Sequence, residues 1–308
     1  MKLAIRNVLI NLLNIKPLEN VLVLTDTKME KIGRMFYDAS KSINLETALM
    51  VMEARTRDGE ELPLHVSKAM RSSNVVIAPT YYSITYTKAV KNACLAGARI
   101  ASLPRISEFS IKKGGLTADY KKVREDVEKM FNAVDGSNFV EVTSKNGTAI
   151  YFSVRERKWF KDYGEIKEGS FGNLPAGDVF IAPVEKSVNG KIVFDSFEFS
   201  TSKKTELTIE DGRIVEMKGV NKQLKEFLEN HPKAKVIGEF GIGSNYKAKV
   251  IGNALEDEKA KGTVHFDIGS NVNIGGLIDV PLHVGGVIKK PTVKVDNRII
   301  IENGVWQI

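Results

Sequence analysis

The stretch Val21-Leu22-Val23-Leu24-Thr25-Asp26 decides the fold expected for the first half of this 308-residue chain. Its four consecutive apolar residues predict a strand buried on both faces, as in the centre of a parallel sheet. Similar runs follow, separated by segments with helical spacing; the runs are 46–52, 74–78 and 99–103, and the helical segments are 29–43, 62–70 and 87–95. This alternation predicts a doubly wound α/β domain.

The second half has a different rhythm. A charged helix over 119–133 and the turn Asp135-Gly136-Ser137 end the first half, so two domains are expected: a Rossmann-like α/β domain over 1–136 and a mainly β domain over 137–308. One helix, 221–230, interrupts a series of short strands. These are predicted over 139–143, 149–154, 179–182, 191–199, 206–209, 213–218, 263–268, 277–280, 292–295 and 298–301.

Composition excludes several classes of function. The single cysteine, Cys94, permits neither an internal disulfide nor a cysteine-based zinc site. The net charge of +7 is spread along the chain without a nucleic-acid-binding motif, and Leu24-Thr25-Asp26 is not followed by a dinucleotide fingerprint. No apolar run reaches the roughly 20 residues of a membrane span. We therefore predict a cytoplasmic protein with no nucleic-acid or membrane partner, and the Lys-, Glu- and Ile-rich composition is compatible with a thermophile.

Two of the four histidines suggest a metal site. His231 follows a helix and is expected to cap it, and His65 lies within a helix, where a structural role is expected. His265 and His283 are eighteen residues apart, on or beside predicted strands. Imidazoles on neighbouring strands can converge on one ion, although two histidines alone are a weak signal.

Two acids strengthen that prediction. Glu239 interrupts the apolar segment VIGEFGIG, and Asp178 interrupts LPAGDVFIAP. A carboxylate between apolar residues is costly to bury unless it is paired or bound to a metal. Together with His265 and His283, these acids predict a site for a divalent cation.

Four ordered segments resemble one family of metallopeptidases. They are NLPAGDVFIAP (173–183), VIGEFGIGSN (236–245), GNALEDEKAKGTVHFDIG (252–269) and PLHVGGVIKKPTVKVDN (281–297). In the same order they resemble the aminopeptidase T/aminopeptidase S family, most closely its shorter archaeal relatives. The resemblance implies a two-metal exopeptidase, assembled as a homodimer or a larger homo-oligomer, that releases N-terminal residues from peptides through a metal-activated water. The metal would be zinc, cobalt or manganese.

The family pattern is altered at three of its six positions. The family's ligands fall on Asp178 (a glutamate in the family), Glu239, His265 and His283. The aspartate expected two residues after the second histidine is Gly285, and the tyrosine expected beside the site is Val272. Glycine supplies no ligand, and valine removes a hydroxyl that could stabilise an oxyanion.

Asp267 offers a compensation. It lies two residues after His265 and on a strand shares its face, so we hypothesise that it replaces the missing aspartate. The alternative is that Asp267 hydrogen-bonds a turn. The nearby acids Glu256, Asp257 and Glu258 could act as a base or support a ligand, but an exposed acidic turn is the simpler expectation.

Two other functions stay open. A related branch resembles 2,5-dihydroxypyridine dioxygenases, which hold a single iron on two histidines and one aspartate; Asp267 or Asp178 could supply that carboxylate. The third possibility is a binding protein that kept the fold and lost the ions, which Gly285 and Val272 favour.

Overall fold

The computed structural model describes residues 2–44, 46–202 and 204–308. The chain forms two compact units, which are described separately. The first comprises Met1–Tyr120 and Tyr163–Ala176, and the second Lys121–Asp162 and Gly177–Ile308. The division into domains at residues 136 and 137 stays a prediction.

The α-helices described are α1 Lys2–Arg6, α2 Glu30–Lys41, α3 Leu64–Arg71, α4 Lys88–Leu95, α5 Glu108–Lys112, α6 Tyr120–Val134, α7 Lys222–Asn230 and α8 Ala254–Asp257. The strands described are β1 Val21–Asp26, β2 Thr47–Met52, β3 Val75–Ala78, β4 Arg99–Ser102, β5 Phe139–Thr143, β6 Ala149–Ser153, β7 Phe160–Asp162, β8 Phe171–Asn173, β9 Asp178–Ile181, β10 Asn189–Phe194, β11 Ser196–Phe197, β12 Thr205–Glu210, β13 Arg213–Lys218, β14 Ile237–Gly243, β15 Thr263–Gly269, β16 His283–Lys289, β17 Thr292–Val295, β18 Arg298–Glu302 and β19 Val305–Trp306. Among these helices, none combines the length and hydropathy needed to span a membrane.

The first unit contains the expected parallel sheet. Its strand order is β2-β1-β3-β4-β8, and every neighbouring pair is parallel. Strands β1 and β3 are buried along their whole length, as their continuous apolar runs predict. Helix α2 packs closely on β1 at Gly33, where a Cβ atom would lie 2.5 Å from Cγ2 of Thr25. The predicted α/β fold of this half is therefore confirmed.

The second unit is mainly antiparallel β structure, as predicted. One sheet has eight strands in the order β13-β12-β10-β6-β5-β17-β18-β19, and the other has six in the order β11-β16-β15-β14-β9-β7. An aromatic cluster joins them: the ring of Phe152 on β6 lies 5.1 Å from that of Phe240 on β14 and 5.9 Å from that of Phe266 on β15. The core of this unit therefore covers one face of β14 and β15.

Two strand predictions need correction. Residues 277–280 form a loop, because side chains bind their backbone amides: Leu277 donates to Glu185 Oε1, and Ile278 donates to Asn271 Oδ1. The single strand expected over 191–199 is divided into β10 and β11, which belong to different sheets.

Candidate metal centre

Side chains alternate between the two faces of the six-stranded sheet along its central strands β14 and β15. The face that carries the candidate ligands is called the site face. On β14 and β15, Phe240 and Phe266 point into the core, so Glu239, His265 and Asp267 project from the opposite face. Glu239 pairs directly with Asp267 across the two strands. Side chains of directly paired residues lie on the same side of a sheet, so both acids face the same space.

The predicted ligands on β14, β15 and β16 lie close together. Nε2 of His283 is 3.0 Å from Oδ2 of Asp267 and 3.8 Å from Oε2 of Glu239. Nε2 of His265 is 3.3 Å from the other Glu239 oxygen, Oε1. One ligand atom each from Glu239, Asp267 and His283 lies within 4.8 Å of the other two. Glu239 therefore stands between the two histidines, with one carboxylate oxygen towards each.

Two glycines make this arrangement possible. A Cβ atom at Gly241, which pairs with His265, would overlap the imidazole ring of that histidine. A Cβ atom at Gly285, which pairs with Asp267, would overlap Oδ1 of the aspartate. Gly285 is thus more than a lost ligand, because its missing side chain leaves the space that the Asp267 carboxylate occupies.

Asp178 lies at the far side of the site and has a different partner. Its Oδ2 accepts a hydrogen bond of 2.8 Å from Nζ of Lys259 and lies 3.9 Å from Nε2 of His265. Both members of the Lys259–Asp178 pair are buried. Burial alone would lower the pKa of Lys259, but the charges of Asp178, Glu258 and Asp162 and the hydrogen bond to Asp178 together hold it well above its usual value. Asp178 is therefore engaged in a buried ion pair.

The unused polar atoms fit a cation bound near Asp267 and His283. A hydrogen bond of 3.2 Å joins Nδ1 of His283 to the carbonyl oxygen of Ser270; since that oxygen only accepts, Nδ1 donates and Nε2 is left to bind a metal. Oδ1 of Asp267 is buried and has no hydrogen-bond partner among the described residues. Buried acceptors of this kind are rare unless an ion or water completes them. One imidazole, two carboxylates and the nearby His265 make a donor set suited to a borderline divalent ion.

The histidines and acids of the site shift one another's pKa values. Burial alone would lower the pKa of His265, but its hydrogen bond with Glu239 and the charges of Glu258 and Asp267 raise it to about 9. Burial, followed by repulsion from Asp267, raises the pKa of Glu258 to about 7. Burial alone would raise the pKa of Asp267, but the hydrogen bond and the charge of His283 lower it. The negative charges around His265 therefore favour its protonated form.

The remaining sequence predictions have mixed outcomes. His231 caps the C-terminus of α7 as predicted, with Nδ1 2.9 Å from the Phe227 carbonyl oxygen. His65 lies in α3 and is exposed. Val272 lies in a helical turn and is 45% exposed.

The expected exposed acidic turn at 256–258 is wrong. Glu256 and Asp257 are fully buried, and Glu258 is mostly so. The segment folds inward because Asp257 accepts hydrogen bonds from the Ile251 and Gly252 amides and from Ser196 Oγ. This inward turn is also what brings Glu258 and Lys259 to the site.

Sequence reasoning missed Lys259 as a site residue. In EDEKAK its alternation with acids is typical of a solvated surface. The only available signal is its position immediately before the buried strand that carries His265. That signal does not distinguish Lys259 from Lys261, which is paired with Asp126.

A parallel α/β unit followed by a mainly antiparallel β unit, with acids and histidines clustered on one sheet face, defines the class of this chain. The family model described as "NicX: 2,5-dihydroxypyridine 5,6-dioxygenase" matches residues 4–308, nearly the whole chain. The chain belongs to this family. No curated protein matches the sequence.

Solved structures that share the fold include a dioxygenase and an aminopeptidase T. The 2,5-dihydroxypyridine dioxygenase from Pseudomonas putida KT2440 superposes with a TM-score of 0.77 at 17% identity, covering 99% of this chain and 96% of that one. Wild-type AmpT from Thermus thermophilus superposes with a TM-score of 0.72 at 16% identity, covering 100% and 98%. The predicted relationship to aminopeptidase T is thus confirmed for the fold, while the matching family model is that of the dioxygenases.

Proposed function

We propose that this protein is a mononuclear non-haem iron dioxygenase that acts on a dihydroxylated nitrogen heteroaromatic ring. The observation that carries the proposal is the compact donor group of Glu239, Asp267 and His283 in a chain of the dioxygenase family. The dioxygenase, one of the two alternatives from the sequence, is therefore preferred to the aminopeptidase.

The residues present fit a borderline divalent ion, a class that includes Fe(II). Imidazole suits iron and zinc, whereas carboxylates alone would favour magnesium, calcium or manganese. His283, Asp267 and Glu239 would hold the ion, and Ser270 would fix the His283 ring through Nδ1. When bound, iron supplies the one-electron chemistry that permits reaction with dioxygen.

The exposure of His283 indicates where the substrate would enter, and Glu258 would accept a proton from it. His283 is the most open of the three donors, with 30% of its side chain exposed, so a substrate would approach from its side. The carboxylate of Glu258, with its pKa raised to about 7, is suited to accept a proton from a ring hydroxyl near neutral pH. Glu258 is the residue we assign to this step.

Anaerobic reconstitution tests the proposal. Purified protein loaded with Fe(II) should bind about one iron per chain and consume dioxygen when 2,5-dihydroxypyridine is added, with loss of the ring absorbance. His283→Ala should lower iron affinity by more than ~100-fold and abolish dioxygen uptake. His65→Ala, in the first unit, is the matched control and should behave as wild type. Iron-loaded protein that leaves both dioxygen and the ring unchanged would refute the proposal.

An aminopeptidase is the second candidate, because Glu239, His265 and His283 occupy positions where the aminopeptidase resemblance places ligands. Its test is hydrolysis of leucine p-nitroanilide with added cobalt, zinc or manganese. Turnover that is lost in His283→Ala would favour the peptidase and a peptide substrate. A binding protein without ions would give neither activity and no bound metal. The cytoplasmic location and the homo-oligomer stay predictions.

A further inference from the structure

The buried ion pair of Lys259 with Asp178 has a second consequence for the metal centre. A buried pair contributes little net stability, because the loss of hydration offsets the attraction. Its position beside a metal site therefore suggests a functional reason. Lys259 is held there by its backbone, since its carbonyl accepts from the Asn245 amide and its own amide donates to Glu256.

The site face carries enough donors for a second cation. Glu239 directs Oε2 towards His283 and Oε1 towards His265, so it could bridge two ions. Beyond His265 lies Asp178, whose Oδ2 is 3.9 Å from Nε2 of that ring. Nε2 of His265 thus has one oxygen of Glu239 at 3.3 Å and one oxygen of Asp178 at 3.9 Å, and these three residues are called the second group below.

The ammonium of Lys259 lies beside this second group. Its ammonium is 2.8 Å from Oδ2 of Asp178 and 3.6 Å from Oε2 of Glu258. A divalent ion bound by the same Asp178 oxygen would lie within a few ångströms of the ammonium. Repulsion between such charges is strong where little water screens them.

We propose that Lys259 is a specificity-determining residue that limits this centre to a single metal ion, its ammonium standing at Asp178 in place of a second divalent cation. The inference deepens the proposed function and rests on its metal site. It assigns His265 a supporting role: the ring fixes Glu239 through the 3.3 Å contact with Oε1 and does not bind a second ion.

Metal stoichiometry tests the inference without any assay of activity. Wild-type protein titrated calorimetrically with Mn(II) or Co(II) should bind about one ion per chain, and Lys259→Met about two, because methionine keeps the chain length and removes the charge. Lys261→Met is the matched control, two residues away and paired with Asp126; it should bind about one. The double variant Lys259→Met/Asp178→Asn should return to about one, because the second group loses its carboxylate.

Wild-type protein alone also gives a decisive result if Lys259→Met does not fold. In excess Mn(II) its electron paramagnetic resonance spectrum should show isolated Mn(II) only. An exchange-coupled manganese pair in wild type, or a folded Lys259→Met protein that binds one ion, would overturn the role of Lys259. The latter result would leave a mononuclear dioxygenase intact, whereas no ion in either protein would overturn both proposals.

Discussion

Replacing Gly285 with alanine should damage the metal centre although glycine provides no ligand. The new Cβ atom would overlap Oδ1 of Asp267 and lie 3.1 Å from Oε1 of Glu258. Gly285 pairs with Asp267 in a ladder that joins β15 to β16 over seven residue pairs, so the backbone cannot yield easily. The aspartate side chain must move instead.

The size of the effect follows from that movement. The carboxylate must shift by about 1–2 Å to restore ordinary van der Waals separation, which takes it out of bonding distance of an ion held by Glu239 and His283. Loss of this bond should weaken metal binding by at least ~100-fold, equivalent to about 2.7 kcal/mol. Overpacking should also lower the free energy of unfolding by about 1–3 kcal/mol.

Titration calorimetry with Fe(II) or Mn(II) on folded protein separates the two effects. Gly172→Ala is the control: its Cβ would lie 3.2 Å from Cγ1 of Ile166 in the first unit, and metal affinity should not change. The double variant Asp267→Gly/Gly285→Asp moves the carboxylate to the neighbouring strand and should recover binding. Wild-type affinity in Gly285→Ala would refute the view that Asp267 fills this space as a ligand.

Two other predictions concern His265. Gly241→Ala should push the imidazole away from Glu239 and weaken metal binding by about 10–100-fold, because Glu239 loses the group that orients it; unchanged affinity by calorimetry would contradict this. Metal affinity should rise with pH up to about 9. The pKa of His265 is raised to about 9, so below that pH the imidazole is protonated, and its positive charge repels a cation bound at Glu239. Calorimetry between about pH 6 and 9 should show this direction, and in His265→Gln the slope should be smaller; an affinity that falls or stays level would count against it.

The elements that the sequence predicts well are those with a strong local pattern. The apolar run at Val21–Leu24 becomes the buried β1, and the run over 99–103 becomes β4. By contrast, β8 has only the residues Phe171-Gly172-Asn173, which show no apolar run. Its strand form depends on pairing with β4, which lies some seventy residues earlier, so no local signal marks it.

The sequence pointed to side chains that lie close together in the structure, but it did not show how their charges are balanced; their role as metal ligands stays a prediction. Buried acids in apolar strands pointed to Glu239 and Asp178, and the two-residue spacing pointed to Asp267. The ion pair between Asp178 and Lys259 could not be read from the sequence, because it joins residues eighty-one positions apart. The inward turn that positions Lys259 depends on side-chain contacts with backbone amides rather than on hydropathy.

Strand β8 pairs with β4 although it lies some seventy residues later in the sequence, and this affects synthesis and truncation of the chain. Residues Ile100–Ser102 of β4 pair along this edge only when Phe171–Asn173 has been synthesised, after three strands of the second unit, β5, β6 and β7. A nascent or truncated chain that ends near residue 136 would expose an unpaired strand edge, a known template for aggregation. Strands of both units must therefore leave the ribosome before β8 can complete the five-stranded sheet.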